Sequence, residues 1–277
     1  MVPIGGYFVA AALSTFTAAA LANALALRVW ERAPLAAVGL SWTRASGRNL
    51  ALGFAGGVGA SVVVLGLPLL VGAAEFQKLP EGSFRWPSLL FVAVVLLFGA
   101  VGEELLFRGY GFQLLLGRIG EFATILPSAV LFGLAHSNNQ HVSWLGMMNT
   151  SLWGVLFGLA FLRSRDLWLP IGLHFGWNLA LPLFGVNLSG FTMNVTGYAI
   201  EWKIGRLWSG GDYGPEAGLL CTMVLGGLFY ALQKAPVEKQ TSLLYQPGDE
   251  EVEDASGCPQ HRVDLDQPLT GRPQTDR

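Results

Sequence analysis

The chain has 277 residues, 52% of them hydrophobic and only 13% charged, about half the charge of an ordinary soluble domain, which argues against a cytosolic enzyme. Its net charge of -2, from 17 basic and 19 acidic residues, offers no basic field for phosphates and so excludes a nucleic-acid partner. Two cysteines, Cys221 in an apolar run and Cys258 in a polar stretch, make neither a metal cluster nor a disulfide framework.

Charge divides the chain at Lys234: residues 1–234 hold 13 basic and 10 acidic side chains, residues 235–277 hold 4 and 9. The sequence predicts an all-α fold in which residues 1–234 form a polytopic transmembrane helical bundle, and 235–277 an acidic, polar, disordered tail. A spanning helix needs about 20 mostly apolar residues, because hydrocarbon tolerates no unpaired backbone group. The first such stretch runs from Ile4 to Leu27; its positive flank, Arg28 and Arg32, follows rather than precedes it, so it reads as a retained helix and not a cleaved signal. Further stretches run from about Leu50 to Ala74, Pro87 to Phe107, Phe122 to Ala135, Val142 to Leu162, Leu167 to Phe184 and Glu216 to Leu232. This makes about seven spans, within a range of six to eight. Glycines such as Gly53, Gly56, Gly57 and Gly59 weaken a soluble helix but permit close helix approach in a membrane.

Basic residues in short loops set the expected orientation. Arg28, Arg32, Arg44 and Arg48 lie between the first two spans, Arg118 between the third and fourth, and Arg163 and Arg165 between the fifth and sixth. The alternation puts the N-terminus outside a cell membrane and the acidic tail in the cytoplasm, where it is a weak candidate for docking a partner. The loops Glu75–Trp86 and Gly185–Pro215 then lie outside. The tail run Asp249, Glu250, Glu251, Glu253 and Asp254 has no apolar periodicity with which to offset its ordering entropy.

Against this apolar background the ionisable residues stand out, because they are costly in hydrocarbon unless paired or hydrated. The third stretch carries Glu103, Glu104 and Arg108. Glu104 and Arg108 are one turn apart and suited to pair, while Glu103 points about 100° away, which leaves one carboxylate for proton chemistry. Two other polar sites break apolar runs: His136 ends the fourth stretch, and His174 and Asn178 share a helical face of the sixth. A carboxylate and imidazoles can activate a water, and an imidazole and an amide can hold a developing oxyanion. The same donors, Glu103, His136 and His174, are candidate zinc ligands, and the residues alone do not choose between the two. Asn149 and Thr150 read as interhelical packing, and His141 as a solvated turn residue.

Taken together, Glu103-Glu104-Leu105-Leu106-Phe107-Arg108 as EExxxR, Phe132-Gly133-Leu134-Ala135-His136 as FxxxH and His174-Phe175-Gly176-Trp177-Asn178 as HxxxN resemble the CPBP family of intramembrane proteases, the CAAX-protease and bacteriocin-processing proteins. The resemblance covers roughly residues 87–182. It implies an intramembrane endopeptidase with Glu103 as general base, His136 positioning the water, His174 and Asn178 on the oxyanion side, and Glu104 and Arg108 in support. It implies a membrane-associated protein or peptide substrate, CAAX-like or a bacteriocin precursor, met among membrane lipids, and leaves zinc open. The alternatives are a non-catalytic scaffold or immunity protein that keeps the polar cluster for packing, and proton-relay transport.

One count does not close. With the third span starting outside at Pro87, Glu103 and His174 fall near the cytoplasmic side, whereas His136, fifteen residues after Glu121, falls near the outer side. Clustering of the motifs then requires tilted or broken helices around a cavity.

Overall fold

A computed structural model describes residues 4–80 and 84–245; the acidic run after Asp249, Cys258 and His261 lie outside the described residues. All seven apolar stretches are helical: α1 (Ile4–Ala26), α2 (Arg44–Leu70), α3 (Trp86–Arg108), α5 (Glu121–Ala135), α6 (Trp144–Ser164), α7 (Trp168–Leu183) and α9 (Leu219–Lys234). Two further helices, α4 (Tyr110–Ile119) and the single turn α8 (Arg206–Ser209), complete the order. Four helical stretches are long and apolar enough to cross a membrane, namely Gly6–Glu31, Arg44–Leu70, Trp86–Ile119 and Trp144–Ser164. The expected count of about seven spans is not confirmed, because α5, α7 and α9, at 15, 16 and 16 residues, are shorter than the usual crossing length.

The third stretch does not end at Phe107 as the apolar pattern suggests. It continues past a break at Gly109 into α4, so that the helical path runs from Trp86 to Ile119. At the break Asn23 of α1 takes over the lost backbone bonds. Its Oδ1 accepts from the Tyr110 N–H at 2.6 Å and its Nδ2 donates to the Leu105 carbonyl at 3.0 Å, which is how an interrupted helix is tolerated at membrane depth. Gly120, with φ of +85°, then reverses the chain into α5. Glu103 lies seventeen residues before this reversal and His136 sixteen after it, each about 24–26 Å along its helix at 1.5 Å per residue. The two therefore return to the same depth, and the discrepancy in the count comes from ending the third helical path at Phe107 rather than at Ile119.

α7 is held against α2 backbone to backbone. Gly53 and Gly57 of α2 face Gly172 and Gly176 of α7; a Cβ at Gly57 would collide with the Leu173 carbonyl, and one at Gly172 with the Leu50 carbonyl. Small residues four apart on both helices allow this approach, and dispersion across the close contact replaces the hydrophobic drive that lipid does not supply. At the start of α7, Asp166 Oδ1 accepts from the Trp168 and Leu169 N–H groups, and its Oδ2 accepts from Asn49 of α2 at 2.9 Å. Burial pushes the Asp166 carboxyl up from its ordinary value, and these donors pull against that.

Loops gather at the two ends of the bundle. At one end, β1 (Ala74–Lys78) pairs antiparallel with β2 (Tyr198–Trp202), joining the two loops read as lying on one side. At the other, the Gly39 carbonyl accepts from Leu167, Trp42 packs edge-on against Trp168, and Gln113 of α4 donates to the Val38 carbonyl. Residues 235–245, placed by composition in the disordered tail, instead cross this end as an ordered strap. The Glu238 N–H donates to Asn49, the Gln240 amide to Asp166, the Ser242 hydroxyl to Gln113, and the Tyr245 hydroxyl to Glu121. Polar side chains need no apolar periodicity to be ordered when they satisfy buried donors and acceptors of the body.

Gly57→Ala should destabilise the protein by about 1–3 kcal/mol, since the colliding atoms are backbone and cannot rotate away. Gly59→Ala, where an added methyl meets nothing within 4 Å, should be neutral or slightly stabilising. Thermal melts in detergent compare the two, and equal melting temperatures would remove the close α2–α7 contact as a determinant of stability.

Candidate functional site

Adjacent glutamates on α3 point in different directions because successive helical residues are rotated by about 100°. Glu104 is wholly buried; its Oε1 accepts from Arg108 Nη1 at 3.3 Å, one turn on. The same oxygen lies 2.9 Å from His174 Nδ1 of α7. A carboxylate paired with a guanidinium can only accept, so His174 Nδ1 carries the proton and Nε2 is turned toward Glu103. That nitrogen lies 3.7 Å from Glu103 Oε2.

Arg108 has no exposed surface. Its Nη2 donates to the Gly154 carbonyl of α6 at 2.8 Å, and its guanidinium carbon sits 5.7, 4.8 and 5.3 Å from the ring centroids of Phe107, Phe132 and Phe157. Ring quadrupoles, one carbonyl and one carboxylate thus stand in for its water shell, while Nε has no partner among the described residues. The Phe132 and Phe157 rings also enclose His174, the latter stacked at 4.9 Å.

Glu103, by contrast, keeps a side chain 30% exposed, and its Oε2 has no hydrogen-bond partner among the described residues. It opens on a cavity of about 270 Å³ whose lining includes His136, His174 and Asn178. His136 caps the C-terminal end of α5, where its Nδ1 donates to the Phe132 carbonyl at 2.9 Å and leaves Nε2 as an acceptor. All four sequence-derived residues of the cluster therefore line one cavity, and the supporting pair Glu104 and Arg108 lies behind it. His141 is exposed, away from this site. Asn149 makes interhelical bonds to the carbonyls of Glu216 and Gly218 and accepts from Thr222.

Other parts of the wall carry no motif. Tyr7, Phe8 and Thr15 come from α1, Trp153 from α6, Ser189 and Phe191 from the loop after α7, and Glu216 from the turn before α9. Glu216 is buried, and its oxygens accept from the Ser189 backbone N–H, the Ser189 hydroxyl at 2.9 Å and the Trp177 indole at 3.4 Å. The one signal for Glu216 in sequence is a carboxylate at the start of an apolar stretch, which reads equally as a solvated helix end. Nearby, burial followed by the Glu216 charge pushes the Tyr213 phenol up to about 12, so it stays neutral.

The candidate zinc donors Glu103, His136 and His174 do not converge: among the described residues no three His, Cys, Asp or Glu side chains are arranged to hold a metal ion. Of their nitrogens, both Nδ1 atoms are already engaged, by Glu104 and by the Phe132 carbonyl. Each imidazole thereby keeps Nε2 free, the posture of a histidine zinc ligand, and Glu103, His136 and His174 would have to draw together to hold the ion.

Residues 85–180 match the family model described as type II CAAX prenyl endopeptidase Rce1-like. YdiL of Bacillus subtilis (strain 168), to which membrane-peptidase activity is ascribed, is 29% identical over 89 residues, a match that spans 32% of this chain and 34% of that protein. The match thus covers about a third of that relative's length. No solved structure matches. The resemblance to the CPBP family holds over the segment that contains all three motifs. The cavity walls from α1, the loop after α7 and Glu216 lie outside that segment.

Removing one member of the buried pair should cost far more than removing both. Arg108→Met leaves Glu104 uncompensated and should destabilise by about 3–5 kcal/mol, while Glu104→Gln with Arg108→Met should recover a large part of that loss. A double-mutant cycle on thermal unfolding in detergent reads this coupling, and additive losses would show that the two side chains act independently.

Proposed function

We propose that the protein is an intramembrane endopeptidase that hydrolyses a peptide bond in a membrane-associated substrate, of CAAX-like or peptide-precursor type. The observation that supports it most is the division between neighbouring carboxylates. Glu104 is neutralised by Arg108, and Glu103 remains open to a cavity shared with two imidazoles and an amide. The family match over residues 85–180 supports the same reading.

In this mechanism a water held between Glu103 and His136 Nε2 gives a proton to the Glu103 carboxylate as its oxygen bonds to the scissile carbonyl carbon. The carbonyl π electrons move to its oxygen, and the resulting oxyanion is stabilised by His174 and the Asn178 amide N–H. Because Nδ1–H of His174 is given to Glu104, Nε2 donates to the oxyanion only as the imidazolium. Two carboxylates, one guanidinium and one imidazolium then sum to a neutral cluster, which limits the cost of holding it away from water. Collapse of the tetrahedral intermediate re-forms the carbonyl, breaks the C–N bond and passes the proton from Glu103 to the leaving amine. No external nucleophile besides water is consumed.

Glu103→Gln, nearly isosteric and unable to take the proton, should lower cleavage of membrane-inserted peptides in proteoliposomes by about 10²–10⁴-fold without loss of folding. Mass spectrometry of prenylated and unprenylated peptide pools, with and without chelator, provides the measurement. Undiminished cleavage by the variant would sink the glutamate mechanism. Chelator inhibition reversed by added zinc would replace it with a metal-assisted one.

We also propose that the end carrying Arg48, Arg118 and Arg165 faces the cytoplasm, with the N-terminus outside, because short basic loops are retained on that side. In intact cells an impermeant thiol reagent should modify a cysteine introduced at Lys78 and spare one introduced at Arg118. The reverse pattern would invert the orientation.

A further inference from the structure

We infer that Glu216, Ser189 and Tyr213 form a water-holding end of the cavity, which keeps the hydrolytic water available to Glu103 and His136 once a substrate segment has filled the opening. This rests on the endopeptidase reading and adds the positioning residues that supply its second reactant.

Hydrolysis consumes one water for each bond cut, and the cavity offers few places to keep one. Much of its wall is apolar, from Leu96, Phe107, Phe132, Phe157 and Leu188. An apolar cavity stays dry unless polar groups give each water about two to four hydrogen bonds. An apolar segment seated against Glu103 covers the exposed side of that carboxylate and shuts out bulk water. The water must therefore be inside beforehand, held by groups that the segment leaves uncovered.

Three observations put those groups beside the motifs rather than within them. First, Tyr213 is 1% exposed, and its hydroxyl has no hydrogen-bond partner among the described residues, although it faces the side chains of Asn139, Thr150 and Ser189. Those three residues line the cavity. A buried hydroxyl left unpaired is costly, and a water among these groups gives it a partner. Second, Glu216 reaches the cavity with one oxygen to spare. Its Oε2 accepts twice from Ser189, whereas Oε1 receives only the long 3.4 Å bond from the Trp177 indole. Ionised or neutral, that oxygen can bond a water. The imidazole facing Glu216 is His136, whose Nε2 is the acceptor for the attacking water. Third, the groups are fixed in place. The Gly190 N–H donates to the Tyr213 carbonyl at 2.7 Å, Asn149 donates to the Glu216 carbonyl at 2.8 Å, and the Asn139 N–H donates to the His136 carbonyl at 3.1 Å. The last of these bonds ties the water-holding end to the reacting histidine. Ser189, Tyr213 and Glu216 all lie beyond residues 85–180, outside the matched segment.

The test uses the full chain in lipid nanodiscs, mixed rapidly into heavy-oxygen water and exposed to a brief X-ray pulse that makes hydroxyl radicals from bulk and held water alike. Mass spectrometry reads which side chains are oxidised and with which oxygen isotope. Trp177, buried beside Glu216, should still take up light oxygen after Tyr7, at the exposed rim of the cavity, takes up only heavy oxygen. Glu216→Leu and Tyr213→Phe should each cut the light-oxygen label on Trp177 about threefold and lower kcat for peptide cleavage about tenfold with KM unchanged. Glu216→Gln, which still accepts from Ser189 and can bond a water, should keep most of the wild-type kcat. Simultaneous isotope exchange at Trp177 and Tyr7 in the wild type would overturn the inference whether or not the variants fold. So would an undiminished label in Glu216→Leu and Tyr213→Phe proteins with wild-type melting temperatures, or a loss confined to KM, which would make these residues substrate contacts. A retained label that both variants abolish, with no peptide cut by any form, would instead remove the protease reading and leave the water site standing.

Discussion

Enclosing a guanidinium in an apolar bundle is the constraint around which this site is organised. Arg108 has no exposed surface, and moving such an ion out of water costs several kcal/mol before any partner is counted. Its partners are therefore structural necessities: Glu104 one turn away on the same helix, the Gly154 carbonyl on α6, and the faces of Phe107, Phe132 and Phe157. Because Glu104 also accepts from His174, the pair reaches across to α7. A single buried charge thus ties three helices together and orients the imidazole that faces Glu103. The neutralised carboxylate cannot share a role with its neighbour, and the unpaired one inherits the cavity.

Two backbone features bring the parts of this cluster to one depth. The glycines of α2 and α7 let those helices touch main chain to main chain, which sets α7, and with it His174 and Asn178, to within the tolerance of atomic contact rather than of flexible side chains. The break at Gly109, bridged by Asn23, lets α3 continue into α4 before the chain reverses. Without that extension His136 and Glu103 would be separated by much of the membrane's thickness.

The cavity also divides by origin. Its chemistry comes from α3, α5 and α7, within the segment that matches the CAAX endopeptidase family model. Its walls come partly from α6, within the same segment, and otherwise from α1, the loop after α7 and the turn before α9. Changes in these peripheral elements can alter which segment enters while the reacting residues stay where the buried ion pair puts them.

How much of this was legible before folding follows from the range of each interaction. The apolar runs identified seven helices, because hydrocarbon imposes a length and composition that show in any window of the chain. Glu103, Glu104, Arg108, His136, His174 and Asn178 stood out because an ionisable or amide group in such a run is expensive, and because helical spacing pairs Glu104 with Arg108 and His174 with Asn178. The amphipathic α4 was missed because it has no long apolar run, and the strap from 235 to 245 because polar side chains show no periodicity until their partners are known. Ser189 and the α1 wall carry no local signal, and Glu216 only one that reads equally as a solvated helix end; their meaning depends on neighbours far away in sequence. The sequence by itself determined a helical membrane chain and the residues able to do chemistry. Only the tertiary structure decided which carboxylate is free, which depth each histidine reaches and which residues close the cavity, since those depend on long-range packing and on the exact place where a helix breaks.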